Sequence, residues 1–158
     1  MLDASQTTTE RPAGLERRLV FRLLSHWRDL AGDSGFPSFA DVDPFAIPDI
    51  WPFCFVLDTT EFPDDPIVRV AQPGVCGDGG NIINRHISAL APATLINHAC
   101  SYVDEVLRKS VPISRGGDFI RGDGVRILYR SILLPMSDDG TTICGIWGGA
   151  NCREVKAV

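Results

Sequence analysis

The side chains able to do chemistry are few and widely spaced: three histidines, His26, His86 and His98, and five cysteines, Cys54, Cys76, Cys100, Cys144 and Cys152. An odd cysteine count, with no Cys-x-x-Cys and no Cys/His pair at zinc-ligand spacing, argues against a disulfide framework and against structural zinc. Reduced thiols and no secretory signal in Met1–Pro12 point to the cytoplasm. Cys54 and Cys144 sit in apolar runs, where cysteine behaves as a small hydrophobe. Cys76 lies in the glycine-rich stretch Gln72–Asn84 and is the candidate redox thiol, although no basic residue stands beside it to lower its pKa. His98 falls at helical spacing between Leu95 and Tyr102, on the flank of an apolar stripe. There a neutral imidazole can serve as a ligand, or simply be satisfied by the backbone. His86 reads as a loop residue, and His26 suits the C-terminal dipole of a helix.

Other chemistries are excluded or left without a motif. Gln72–Asn84 contains neither Gly-x-Gly-x-x-Gly nor a Lys-bearing phosphate loop, so nucleotide binding by that route is rejected. There is no Gly-x-Ser-x-Gly elbow and no paired-carboxylate motif, so the chain is not expected to be an enzyme. Catalytic triads are spatial, which keeps a small enzyme of unrecognised chemistry as an alternative. A net charge of −5 argues against a nucleic-acid footprint, which would need a basic face. No apolar run approaches the ~20 residues of a membrane span. Arg126 and Arg130 alternate with Leu128 on one strand face; with Arg115 they are either solvated or paired with a partner's carboxylates.

The elements that must position these groups are clearest in the last third. Val111–Ile120, Val125–Leu134 and Thr142–Gly149 are separated by Arg121-Gly122-Asp123-Gly124 and Ser137-Asp138-Asp139-Gly140. Asp-Gly between β-prone runs is a hairpin signal, so this is a three-stranded meander. Earlier, Leu15–Ala31 carries Leu15, Leu19, Leu23, Trp27 and Leu30 at three- and four-residue intervals, a helix ended by Gly32 and Gly35. That stripe packs on its own sheet or forms a dimer contact through Leu19, Leu23 and Trp27. Phe36–Pro52 is punctuated by prolines and holds only short turns, with Ser38 as a cap and Pro44 opening another. Phe53–Thr59 and Ile67–Ala71 read as a strand hairpin, Ser88–Lys109 as a second long helix starting near Pro92 or Ala93, and Asn151–Val158 as a frayed tail. The order predicts an α+β fold with a five-stranded antiparallel sheet, a long N-terminal helix and a helix between strands 2 and 3. The boundaries are 1–14 as a disordered leader, 15–35 as the N-terminal helix, 36–150 as the domain and 151–158 as the tail.

This order resembles the PAS fold. His26-Trp27-Arg28-Asp29-Leu30, then Pro37-Ser38-Phe39-Ala40-Asp41-Val42-Asp43-Pro44 and Ile47-Pro48, resemble the opening of small stand-alone bacterial PAS proteins. Leu133-Leu134-Pro135-Met136-Ser137-Asp138-Asp139-Gly140 resembles the same family's last hairpin. The stretch Val70–Gly79 departs from the family pattern, which rewrites one wall of the cavity. The resemblance implies a non-enzymatic signalling or regulatory sensor acting through protein contacts, homodimeric, with a small ligand in its cup. Its alternative is a haem- or redox-dependent sensor. In haem-binding PAS sensors the iron ligand is a histidine on the helix where His98 lies, so His98, Tyr102 and Trp147 are the candidate cofactor contacts. Asn151-Cys152-Arg153 matches three residues of a flavin-sensor motif but is expected to follow the last strand. The meander is expected to floor the cup, with the 92–109 helix over its concave face and the 15–31 helix on its outer face.

Overall fold

The computed structural model describes residues 13–33, 35–76 and 81–155; of the leader expected over 1–14, residues 1–12 lie outside the described residues and 13–14 belong to a helix. Helix α1 spans Ala13–Ala31. The following segment makes only short 3-10 turns, each explained by its own sequence. Ser38 Oγ accepts from the Ala40 N–H, Asp43 Oδ1 accepts from the Phe45 N–H, and Pro44 opens its turn with φ already set.

Strands β1 (Cys54–Asp58), β2 (Ile67–Ala71), β3 (Ile113–Ile120), β4 (Arg126–Met136) and β5 (Gly145–Glu154) form one sheet in the order β2-β1-β5-β4-β3. All pairings are antiparallel, as the sequence predicts. Gly124 and Gly140 close the two meander hairpins with φ of +88° and +85°, the left-handed backbone that each turn needs. Strand β5 runs past the expected end. Ile127↔Glu154 through Arg130↔Asn151 extend its ladder with β4, so residues 151–154 are strand and not tail. Asn151-Cys152-Arg153 accordingly lies within the last strand.

Two further expectations are corrected. The glycine-rich stretch contains a short helix, α2 (Pro73–Cys76), and the segment 77–80 lies outside the described residues. The second long helix is broken into α3 (Leu95–Ala99) and α4 (Val103–Lys109). Thr94 caps α3 through its Oγ1, and between the helices Tyr102 takes φ −119° and ψ 26°. That turn drops the phenol onto the sheet, where its hydroxyl lies 2.7 Å from Ser131 Oγ. A buried, hydrogen-bonded pair of this kind offsets the intrahelical bonds lost at the break.

The sheet is covered on both faces, as expected from the meander. The inner face carries Phe55, Leu57, Leu133 and Ile146 against α3 and α4, whose Ile96 and Val106 are fully buried. The outer face carries Cys54, Ile132, Leu134 and Trp147 against Leu19, Leu23 and Trp27 of α1 and the turns that follow it. The Trp27 indole N–H donates to the Pro135 carbonyl at 2.9 Å, pinning the end of α1 to β4. Strand β5 lets both layers approach closely. A Cβ at Gly148 would stand 2.2 Å from the Phe55 ring on the inner side, and one at Gly149 would stand 2.2 Å from Leu23 Cδ1 on the outer side.

Candidate functional site

The inner face of the sheet is the candidate site, and its occupants are the protein's own side chains. From α3, His98 stacks on Phe119 of β3 with ring centroids 4.3 Å apart and planes 8° from parallel. Tyr129 of β4 tilts against both, at 5.8 Å from His98 and 6.0 Å from Phe119. One turn further on, Tyr102 is buried over Ser131, and burial pushes its phenol well above the ordinary range. The Arg115 guanidinium lies 5.2 Å over the Tyr102 ring and pairs with Glu105 of α4 at 2.5 Å. Arg115 and Arg126 thus find carboxylates within the chain, Arg126 taking Asp118 at 2.7 Å.

Between α2, α3 and the ends of β3–β5 the cup opens through a cleft of about 170 Å³, lined by Gly74, Leu95, Phe119, Arg121, Ile127 and Cys152. Arg121 is its charged group, held by Asp123 at 2.8 Å and Glu154 at 3.0 Å, which raises its already high pKa. A wider, shallower cleft of about 440 Å³ runs between the β1–β2 turn and α3–α4 past Asp64, Asp65, Ser88, Asn97 and Asp104. The Ser88 hydroxyl and N–H donate to Asp65 at 2.6 and 3.0 Å and hold its carboxyl below the usual range. A third cavity, an apolar groove of about 220 Å³, lies on the outer face among Phe39, Val42, Pro44, Trp51, Val56, Val70 and Trp147.

The residues singled out from sequence therefore separate. His98 and Tyr102 share the inner face, on successive turns. Trp147 faces the other way. Its neighbour Ile146 takes the inner side, and strand alternation sends the indole outward, edge-on to His26 at 5.8 Å. Leu19, Leu23 and Trp27 are 3%, 0% and 8% exposed against the chain's own sheet, so their stripe is spent on folding and is not a dimer face. Cys76 is half-buried in α2 and its thiol donates to the Ala71 carbonyl at 3.5 Å. Cys54 is buried, its thiol pushed up to about 12, and buried Cys100 is pushed further in the same direction. Arg121 and Cys152, which line the mouth of the cup, were not singled out as site residues. The signal that finds them is the length of β5, which carries Cys152 along the sheet to the cleft.

For a haem ligated by His98, the cleft beside the imidazole is far smaller than a porphyrin, and the inner face around it is filled by Phe119 and Tyr129. The residues as placed do not fit that group. Among the described residues no cluster of three or more His, Cys, Asp or Glu side chains can hold a metal ion. No helix among them is long and apolar enough to cross a membrane.

An antiparallel sheet ordered β2-β1-β5-β4-β3, cupped around short helices, with a long helix on its back, is the build of an α+β sensor scaffold. The PAS domain family model matches residues 16–149, and the chain belongs to that family. No curated protein matches it. Membership sets the protein among signalling and sensor domains.

Proposed function

We propose that this protein is a non-enzymatic, cytoplasmic regulatory PAS domain that acts through protein–protein contacts, with the cleft at the mouth of its cup as the place where a small ligand biases those contacts. The observation that carries the reading is the filled inner face: Phe55, Tyr102, Phe119 and Leu133 are buried against α3 and α4, and His98 is engaged with Phe119. A cup filled by its own packed core is suited to a domain that changes what its surface binds, because a two-state packing equilibrium is all that a ligand or partner has to shift. A ligand for the mouth cleft is small and mostly apolar, since Leu95, Phe119 and Ile127 line it and Arg121 already has two carboxylates.

The test is the absorption spectrum of the purified full chain, followed by mass spectrometry of its denatured extract. The expected result is a colourless protein with no stoichiometric porphyrin or flavin. A Soret band that disappears in His98→Ala would overturn the reading in favour of a haem sensor.

A further inference from the structure

The sheet has two edges, and the chain closes one of them. Along β2 runs the segment 84–87: the Val68 N–H donates to the Arg85 carbonyl at 2.9 Å, the Asn84 N–H to the Val68 carbonyl at 2.7 Å, and the Ile87 N–H to the Pro66 carbonyl at 2.9 Å. Among the described residues nothing does the same for β3. The Arg121 N–H donates to the Val125 carbonyl at 2.8 Å, which fixes the odd-numbered residues of β3 as those bonded to β4. The N–H and C=O groups of Ser114, Gly116, Asp118 and Ile120 therefore face the open side, and residues 114–118 are all exposed. Strand β3 has neither proline nor lysine, and no bulge interrupts its register with β4. Its inward-pointing charge, Arg115, is drawn off by Glu105. The devices that blunt an edge are missing here.

The side chains beside the open slot select its occupant. At Gly116 and Gly117 the missing Cβ lets two side chains of β4 fold over β3. A Cβ at Gly116 would stand 3.7 Å from Arg130 Cζ on the outer face, and one at Gly117 would stand 3.2 Å from the Tyr129 hydroxyl on the inner face. Arg115 and Arg126 hold Glu105 and Asp118, whereas Arg130 has no carboxylate among the described residues and its buried Nε has no acceptor. Strand β5 does not occupy the guanidinium either, because the cross-strand neighbour Asn151 keeps its own Oδ1 unpartnered. We propose that β3 is a strand-addition edge for an extended segment of a partner protein that carries an acidic side chain opposite Gly116. The segment pairs antiparallel with Ser114, Gly116, Asp118 and Ile120 through main-chain bonds. Its carboxylate meets Arg130 across the bare glycine, since side chains directly opposite stand about 5 Å apart. Asp118 does not repel it, being neutralised by Arg126 at 2.7 Å. Four residues away the same face of the segment meets Ile120, 57% exposed, which suits an apolar side chain. This inference rests on the reading of the domain as a contact module and gives the chemistry of one partner.

The test is fluorescence anisotropy of a labelled peptide as long as β3, alternating Thr and Val with one central Glu, titrated with the full chain. Amide hydrogen exchange of the complex reads the same contact. The peptide is expected to bind saturably and to slow exchange at Ser114, Gly116, Asp118 and Ile120. Lys in place of the peptide's Glu is expected to raise the Kd ~10-fold, the effect of about 1.4 kcal/mol. Arg130→Gln is expected to weaken the Glu peptide by a similar factor and to remove the preference for Glu over Lys. N-methylation of the peptide residues whose N–H groups face β3 is expected to abolish binding; this change and the Lys peptide leave the protein untouched, so neither depends on a variant's folding. Absence of saturable binding overturns the proposal, as does binding indifferent to Glu or Lys, an N-methylated peptide that binds as well, or four amides that exchange as before. A chain that protects those amides at high concentration without peptide would assign the edge to a second copy and would equally overturn it. All of these outcomes leave the absorption spectrum unchanged, so failure here is distinct from failure of the proposed function.

Discussion

Leu23→Ala and Gly149→Ala, made singly and together, measure how α1 is seated on the sheet. Leu23 is fully buried, and truncating it removes three buried carbons, worth about 2.4 kcal/mol at roughly 0.8 kcal/mol each. The cavity left behind brings the cost to about 3–4 kcal/mol. Gly149→Ala has the opposite fault: its new methyl would stand 2.2 Å from Leu23 Cδ1, so the helix or the side chain must shift, at a cost of about 1–3 kcal/mol. In the double variant the methyl enters the space that Leu23 vacated, and the crowding disappears. The two changes together are therefore expected to cost less than their sum by about 1–3 kcal/mol. Urea unfolding followed by far-ultraviolet circular dichroism reads these values, and thermal midpoints should move by about 2–4 °C per kcal/mol. Strict additivity would refute the contact. So would a stabilising Gly149→Ala, which is what removal of a glycine's excess chain entropy gives in a strand with open space above it.

Tyr102→Phe leaves Ser131 Oγ buried without its 2.7 Å partner and is expected to cost about 1–3 kcal/mol in chemical denaturation, with part of that recovered when Ser131→Ala is added. Acid should destabilise the fold. Asp139 accepts from the Thr141 and Thr142 N–H groups and from Ser137, and Asp58 accepts from Thr60 and Arg69, so both carboxyls are held below their ordinary range. A depressed folded pKa means that the unfolded chain takes up protons first. Their stabilisation is present above the ordinary carboxylate pKa near ~4 and is lost as the pH falls below it. Asp139→Asn should flatten that acid limb in a pH series of thermal midpoints; an unchanged limb would count against the turn's role. At mildly alkaline pH a thiol reagent should reach exposed Cys152 first and buried Cys54 and Cys100 last, with the fast phase absent in Cys152→Ser.

The hairpins and caps were legible because their causes are local. Gly124 and Gly140 sit where a turn needs positive φ, Ser38 accepts from the backbone two residues on, and Pro44 opens the next turn. What the sequence hid is non-local. Leu95, Ala99, Tyr102 and Val106 fit one continuous helical stripe, and the break at Tyr102 is stabilised by Ser131, 29 residues away. Asn151 to Glu154 look like a polar tail until the long strand β4 supplies partners for them. Trp147 is not the contact of the cup that the resemblance implies, because strand alternation says only that neighbours diverge and α1's position decides which side each takes. For the same reason the Leu19–Leu23–Trp27 stripe admitted two readings, settled by the sheet that covers it.

The adjacent glycines of β5 set what stands between the two layers of this domain. Phe55 rests against Gly148 from within the cup, and Leu23 rests against Gly149 from the back. At those two positions the wall between the layers is bare main chain, with no rotatable side chain to absorb a push. A shift of the Phe55 ring is therefore met by the backbone itself, and the next object in its path is the long helix. The strand acts there as a membrane of one peptide's thickness, and the cup and the outer layer are mechanically in contact through it.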